Sequence, residues 1–478
     1  MKQNKFEEYQ LSNEIIEALT MLGYTTPTQI QERVIPYALE NKDIVAKSKT
    51  GSGKTAAFAI PLCEMVVWDE KLAQALVLEP TRELTNQVKE EIFNIGRKKR
   101  LKVCAIFGGF PIDKQVITLK QKANILVGTP GRVLDHLRRG TLKTDKIKYL
   151  IIDEADLMMD MGFIDDVKQI ISYLNNRQVT MLFSATMGEN IKNLADHYLT
   201  NPIEIMIESN TKTVDSVIQE GYYSENEDKL QDLLAVLMKE EPENCMIFCA
   251  TREMVNVLYR QLTKVKIQCS MLHGLIDQQQ RLKAIDEFQE GRYRYLIATD
   301  VAARGVDFDN ITHVINYDLP TSKEAYVHRI GRTGRNGKSG KAISFIQESE
   351  RRQQKIIEEY TGVTITVLDI PIINEEKKKE FYQHQQKKRA YKAKKGAIFN
   401  SQITKICISG GRKSKLRAGD IVGTVCSIKG IVGDDIGIID IRDSLTYLEI
   451  LNGKGEQVFK ELQGKTIKGK IRNVKMRK

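Results

Sequence analysis

Asp43-Ile44-Val45-Ala46-Lys47-Ser48 followed by Lys49-Thr50-Gly51-Ser52-Gly53-Lys54-Thr55 is a short apolar run that closes on a glycine-rich turn and opens a helical stretch. Glycines let successive N–H groups turn toward a phosphate, and a helix N-terminus adds a positive dipole. Residues Ser48 through Thr55 are therefore expected to cradle the phosphates of a nucleotide, with Lys54 on the β- and γ-phosphates and the Thr55 hydroxyl on Mg²⁺. Ser48 stands where the strict phosphate-loop pattern has its first glycine, so the loop needs a second motif beside it. Asp153-Glu154-Ala155-Asp156 supplies one, at the end of the apolar run Tyr149-Leu150-Ile151-Ile152. Carboxylates at the carboxyl end of a strand in an α/β sheet border the ligand crevice. Asp153 is expected to hold Mg²⁺ through water, and Glu154 to orient and deprotonate an attacking water.

Outward from this pair, short apolar runs alternate with amphipathic stretches. The expected strands are 43–48, 75–80, 102–108, 124–129, 149–154 and 179–185, and a second cycle follows at 219–224, 245–250, 267–273, 293–300, 311–318 and 341–346. Apolar strands on that rhythm are parallel strands covered by helices on both faces. The predicted fold class is α/β: two tandem RecA-like, doubly wound parallel-sheet lobes at 1–207 and 216–368, with a polar hinge between them and a ligand cleft between the lobes. A charged linker is expected at 369–400, its residues 374–395 read as a solvated helix or flexible segment. In residues 401–478 the order βαββαβ predicts a small α+β domain like an RNA-recognition motif, its last strand at 466–474.

Charge is unevenly placed. From Asp369 to Lys478 there are 25 Lys+Arg against 12 Asp+Glu, which leaves 48 against 50 in residues 1–368. The whole positive excess sits in the last quarter, as for a chain with a polyanion-binding appendage. Seven cysteines are scattered through apolar runs without a C-x-x-C pair, which fits buried thiols in a reducing compartment better than zinc or disulfides. No stretch of about 18 apolar residues occurs, and the opening MKQNKFEEYQ lacks a signal-peptide core. A cytoplasmic monomer with no membrane association is expected.

Further motifs give the chain a family resemblance. It resembles the DEAD-box RNA helicases across both lobes, through Phe6 with Gly23-Tyr24 and Pro27-Thr28-Gln29-Ile30-Gln31, Pro80-Thr81-Arg82-Glu83-Leu84, Gly108-Gly109, Thr129-Pro130-Gly131-Arg132 and Ser184-Ala185-Thr186 in the first. The second carries Gln278-x-x-Arg281, Ala298-Thr299-Asp300 through Asp307, and His328-Arg329-Ile330-Gly331-Arg332-Thr333-Gly334-Arg335. The resemblance implies that Gln29 reads the adenine edge, that Phe6 packs on its ring beside Tyr24, and that Asp307 touches the ribose of ATP. It implies RNA contacts at Arg82, Gly109, Thr129, Arg132, Gln278, Arg281 and Thr299. Ser184 and Thr186 are implied to couple hydrolysis to strand separation. Arg332 and Arg335 are implied to reach the γ-phosphate from the other lobe, where they stabilise transition-state charge only when the cleft shuts. A DNA translocase and a non-hydrolysing RNA clamp are the rival readings, to be separated by DNA activation and by the effect of Lys54→Ala.

The region from about Thr404 onward resembles the RNA-binding domain of the DbpA/YxiN branch, through Lys415-Leu416-Arg417-Ala418-Gly419-Asp420-Ile421-Val422-Gly423 and Leu448-Glu449-Ile450-Leu451-Asn452-Gly453-Lys454-Gly455. That resemblance implies a hairpin of large-subunit (23S) ribosomal RNA and the assembling large subunit as partners. Its central strands offer only Tyr447 for stacking, so base stacking at about 1–3 kcal/mol each cannot dominate. Arg412, Lys413, Lys415, Arg417, Lys468, Lys470 and Arg472 are expected to carry RNA binding instead.

Overall fold

The computed structural model describes residues 5–48, 51–207, 217–225, 227, 229–303, 305–306, 308, 310–334, 338–387, 389, 393, 395–400 and 403–477. In the first lobe, β1 (Ile44–Lys47), β2 (Ala75–Leu78), β3 (Val103–Ile106), β4 (Ile125–Gly128), β5 (Tyr149–Ile152), β6 (Val179–Ser184) and β7 (Ile203–Met206) form one parallel sheet in the order β3-β4-β2-β5-β6-β1-β7. Every residue of β2, β4, β5 and β6 is buried. Helices cover both faces, which is why these strands read as continuous apolar runs. The order brings the carboxyl ends of β5, β6 and β1 side by side, so Asp153, Ser184 and Ser48 become neighbours.

The second lobe repeats the plan with β8 (Val217–Tyr223), β9 (Cys245–Phe248), β10 (Cys269–Leu272), β11 (Tyr295–Ala298), β12 (His313–Asn316), β13 (Gly340–Ile346) and β14 (Thr366–Leu368), in the order β10-β11-β9-β12-β13-β8-β14. Each lobe thus has one strand more than the six expected. β7 and β14 are edge strands, short and only partly buried, so neither shows an unbroken apolar run. The stretch expected as a charged linker holds the helix Glu375–Gln386, which lays Phe381 into the second lobe's core and directs Gln385 Nε2 to the Tyr295 hydroxyl.

The third domain has an antiparallel sheet of β15 (Thr404–Ser409), β16 (Ile436–Ile441), β17 (Leu445–Ile450) and β20 (Val474–Arg477), ordered β16-β17-β15-β20. Helices Ala418–Cys426 and Gly455–Leu462 pack over Ile406, Ile408, Leu448 and Ile450. The single strand expected at 466–474 is corrected here. Lys468 and Gly469 both take positive φ, 53° and 72°, and fold the segment into a two-stranded hairpin, β18 (Thr466–Ile467) with β19 (Lys470–Ile471). Only Val474–Arg477 joins the main sheet.

This domain sits against the first lobe. Arg97 Nη2 meets Glu449 Oε1 at 2.9 Å, with both side chains largely buried, and its guanidinium lies over the rings of Phe93 and Phe399. Arg100 donates to the Gly433 carbonyl, and Lys102 Nζ to that of Ile439. Phe399, Ile403 and Leu451 close an apolar cluster with Ala18.

Candidate nucleotide and RNA site

β1 ends at Lys47, and the chain turns through Gly51 and Gly53 into the helix Lys54–Met65. Gly53 has φ +93°, and a Cβ there would meet Gln31 Nε2 at 2.6 Å, so this position demands glycine twice over. Gln31 is one of the residues that the sequence reading passed over. It closes a capping box with Thr28 and sends Nε2 to the Gly53 carbonyl at 3.1 Å, tying the helix Gln29–Leu39 to the loop. Its Thr-x-x-Gln spacing was the available signal. Ser48 Oγ lies 2.6 Å from Ser52 Oγ, and Ser48 N donates to the Ser184 carbonyl. Lys49 and Thr50 lie outside the described residues.

Lys54 is 5% exposed and its Nζ lies 2.5 Å from Glu154 Oε1. Burial works against its charge, but Glu154 and Asp153 outweigh that and hold the ammonium above the ordinary lysine range. Asp153 is pushed up to about 7, by burial first and, despite Lys54, by the charge of Glu154. Glu154 sits in the left-handed region at φ 48°, ψ 49°, a conformation that costs a non-glycine residue about 1–2 kcal/mol and clusters at functional sites. Asp153 Oδ1 receives the Glu154 N–H, while Asp156 Oδ2 and Ser184 Oγ receive the Thr186 N–H. Phosphate loop, carboxylates and the Ser184–Thr186 turn therefore form one bonded unit. Exposed Gln29 begins its helix at the rim. Phe6 is fully buried and edge-on to Tyr24, so here it supports the rim from beneath instead of presenting a face to a base.

Several residues read as RNA contacts meet across the lobes. Thr81 Oγ1 donates to the Gly305 carbonyl at 2.9 Å, and Arg82 Nη1 to Gln278 Oε1 at 3.1 Å. Glu83, buried and overlooked in the sequence, accepts from Gln278 Nε2 and Arg281 Nε, each at 3.0 Å. Gly109 lies between them at φ +87°, where a Cβ would meet Arg82 Nη1 at 2.7 Å. Thr129 precedes the helix Pro130–Arg138, and Arg132 of that helix bonds the Phe110 carbonyl. Thr299 follows β11 and donates its N–H to Leu272. Arg332 Nη1 bonds the Val306 carbonyl of its own lobe. Buried Arg329 grips Asp300 through two hydrogen bonds, at 2.5 and 2.7 Å. Asp307 and Arg335 lie outside the described residues.

With this geometry the similarities to known proteins agree. Residues 28–194 match the DEAD/DEAH box helicase family, 227–337 the helicase conserved C-terminal domain, and 405–476 the DbpA RNA binding domain. The ATP-dependent RNA helicase DbpA of Bacillus subtilis is 50% identical over 97% of this chain and 98% of its own length. The chain belongs to the DEAD-box family of ATP-dependent RNA helicases. The DEAD-box helicase CshA of the same organism is 41% identical over 77% of this chain and 75% of its own. Yeast Dbp5 bound to RNA and ADP-BeF3 superposes with a TM-score of 0.67 at 33% identity, covering 81% of this chain and all of that one.

The DEAD-box core thus carries a DbpA-type domain, and that domain displays two basic surfaces. Arg412, Lys413, Lys415 and Arg417 are exposed on the turn after β15, beside Lys468, which bonds the Lys415 carbonyl and pairs with Asp420; Lys470 is exposed on the same hairpin. Arg472 departs from expectation. It is 9% exposed and directs its guanidinium to the Ser409 and Ile467 carbonyls, so it holds the hairpin to β15 instead of facing solvent. Tyr447 lies on the open face of the sheet with Arg442 and Arg477 over its ring, at 4.7 and 5.1 Å. All seven cysteines are free thiols, and among the described residues no helix is long and apolar enough to cross a membrane.

Proposed function

We propose that this helicase remodels structured large-subunit ribosomal RNA in the cytoplasm, acting as a monomer that its C-terminal domain tethers to a 23S rRNA hairpin during ribosome assembly. The observation that carries the reading is the division of the reaction between lobes. The phosphate loop, Asp153, Glu154 and Ser184–Thr186 share one sheet edge, whereas Arg332 and Arg335 belong to the other lobe.

In the proposed cycle ATP takes the Lys54 ammonium from Glu154. Thr55 and, through water, Asp153 would hold a Mg²⁺, which would offset phosphate charge there; the buried Asp153 carboxylate fits such an ion. Glu154 takes the proton of a water whose oxygen bonds the γ-phosphorus as the bond to ADP breaks. Gln29 and Tyr24 read the base. Arg82, Gly109, Thr129, Arg132, Gln278, Arg281 and Thr299 grip RNA by its backbone, indifferent to sequence, once the direct Arg82–Gln278 and Glu83–Arg281 contacts yield. Arg332 and Arg335 reach the γ-phosphate on closure, and Ser184 and Thr186 pass the change through Asp156. The loop residues Arg412, Lys413, Lys415 and Arg417, with Lys468 and Lys470, read a folded RNA shape.

The test is ATPase activation by intact ribosomal RNA against unrelated RNA and DNA, with and without residues 401–478. Strong preference for ribosomal RNA that vanishes on truncation supports the reading. Equal activation by all three polymers in the full chain would sink it.

A further inference from the structure

Glu79 directly precedes Pro80-Thr81-Arg82-Glu83, and nothing in the proposed cycle uses it. It is wholly buried, and neither Oε1 nor Oε2 has a hydrogen-bond partner. A buried carboxylate left in this condition is costly, and such atoms in native proteins usually answer to a water or an ion.

Its position is set by backbone register. β2 and β5 pair Leu78 with Ile152, and Asp153 N donates to the Leu78 carbonyl. Glu79 and Asp153 are the next residues on adjacent parallel strands, about 4.8 Å apart in the sheet and pointing to the same face. Glu79 N is itself held by the Gly128 carbonyl. After burial, the groups that act on its carboxyl are Asp153, Glu154 and Lys54, which places it toward the nucleotide site; burial and the two acids push it well above the ordinary range.

The local acidic groups outnumber the cations that meet them. Lys54 pairs directly with Glu154, so Asp153 and Glu79, 3% and 0% exposed, have no direct cationic partner among the described residues. Among the described residues no three acidic, histidine or cysteine side chains converge closely enough to bind a bare metal. A hydrated divalent cation fits better, because Mg²⁺ keeps several waters whose hydrogens need acceptors one layer out.

We propose that Glu79 is a third carboxylate of the nucleotide site, a positioning residue that accepts hydrogen bonds from the water shell of the ion held by Thr55 and Asp153. This rests on the reading of Asp153 given above. By strand order Glu79 would act from the β2 side of Asp153, away from the loop that follows β1.

The experiment measures binding of a fluorescent ADP to the full-length protein across a Mg²⁺ titration, with thermal melting of the same samples. Glu79→Gln and Glu79→Ala are expected to weaken apparent Mg²⁺ affinity by ~10-fold or more, as loss of an outer-shell partner does. ADP affinity in EDTA should stay within about twofold, and the rise in Tm on adding Mg²⁺ to the ADP complex should shrink. Asp153→Asn separates the two readings. If it leaves Mg²⁺ dependence unchanged, the metal role of Asp153 fails. If Asp153→Asn shifts it while both Glu79 variants bind Mg²⁺ like the parent, the Glu79 proposal is overturned. Where Glu79→Ala misfolds, the near-isosteric Glu79→Gln decides alone.

Discussion

Lys54 Nζ lies 2.5 Å from Glu154 Oε1, so the cation that should grip ATP and the carboxylate that should activate water neutralise each other. Phosphate must displace the carboxylate before either can work, which couples substrate binding to release of the base. Glu154→Gln is expected to keep ATP affinity within a few-fold and to lower kcat by about 10²–10⁴, the usual worth of a general base. Lys54→Ala should weaken ATP binding itself. Nucleotide titration beside steady-state phosphate release separates the two, and an unchanged kcat in Glu154→Gln removes the assigned role.

Arg332 bonds a carbonyl of its own lobe, so in the proposed cycle its action waits on closure. Arg332→Ala should leave ADP and RNA binding intact while lowering RNA-stimulated kcat by roughly 10³-fold or more. The smaller RNA-free rate should change much less, and comparing the two rates is the check.

Glu449 of the C-terminal domain buries its carboxylate against Arg97 of the first lobe. Glu449→Lys sets like charges together at a cost on the order of 1–3 kcal/mol, enough to shift docking about tenfold. Distance between fluorophores on the two domains should lengthen in this variant and recover in the Arg97→Glu, Glu449→Lys exchange.

Glu240 is held down to about 2, chiefly by His313, whose Nε2 lies 3.6 Å from Oε2, and also by its 2.9 Å hydrogen bond from Lys341 Nζ, against the opposing effect of burial. A carboxyl depressed in the folded state adds stability that is fully present above its unfolded value and lost as pH falls through its folded one. The window runs from the ordinary glutamate value of 4.5 down to about 2. The side chain keeps 12% of its surface in water, and screening there reduces the contribution at pH 7 to on the order of 1 kcal/mol. Chemical denaturation should show Glu240→Gln destabilised by that amount at pH 7 and converging on the parent as pH approaches 2.

Much of the active architecture was legible in the sequence because it is local. The phosphate loop needs its glycines at fixed spacing, Asp153-Glu154 must end an apolar strand, and buried parallel strands announce themselves as unbroken apolar runs. The βαββαβ order was legible for the same reason, although the positive φ at Lys468 gave no warning of the hairpin that displaces the last strand. β7 and β14 escaped because they are short and only partly buried, so neither forms an unbroken apolar run.

Sequence alone thus determined where the motifs lie: a glycine-rich loop before a helix, carboxylates that end an apolar strand, and arginines carried in the second half of the chain. Tertiary structure decided what those groups touch. Strand order placed Glu79 beside Asp153, helix packing set the capping Gln31 against Gly53, and contact between the lobes brought Glu83 to Gln278 and Arg281. It also turned Arg472 inward and docked Glu449 onto Arg97. These pairings join residues far apart in the chain. Burial, register and the need to satisfy each desolvated charge select them, and all three exist only once the chain has packed.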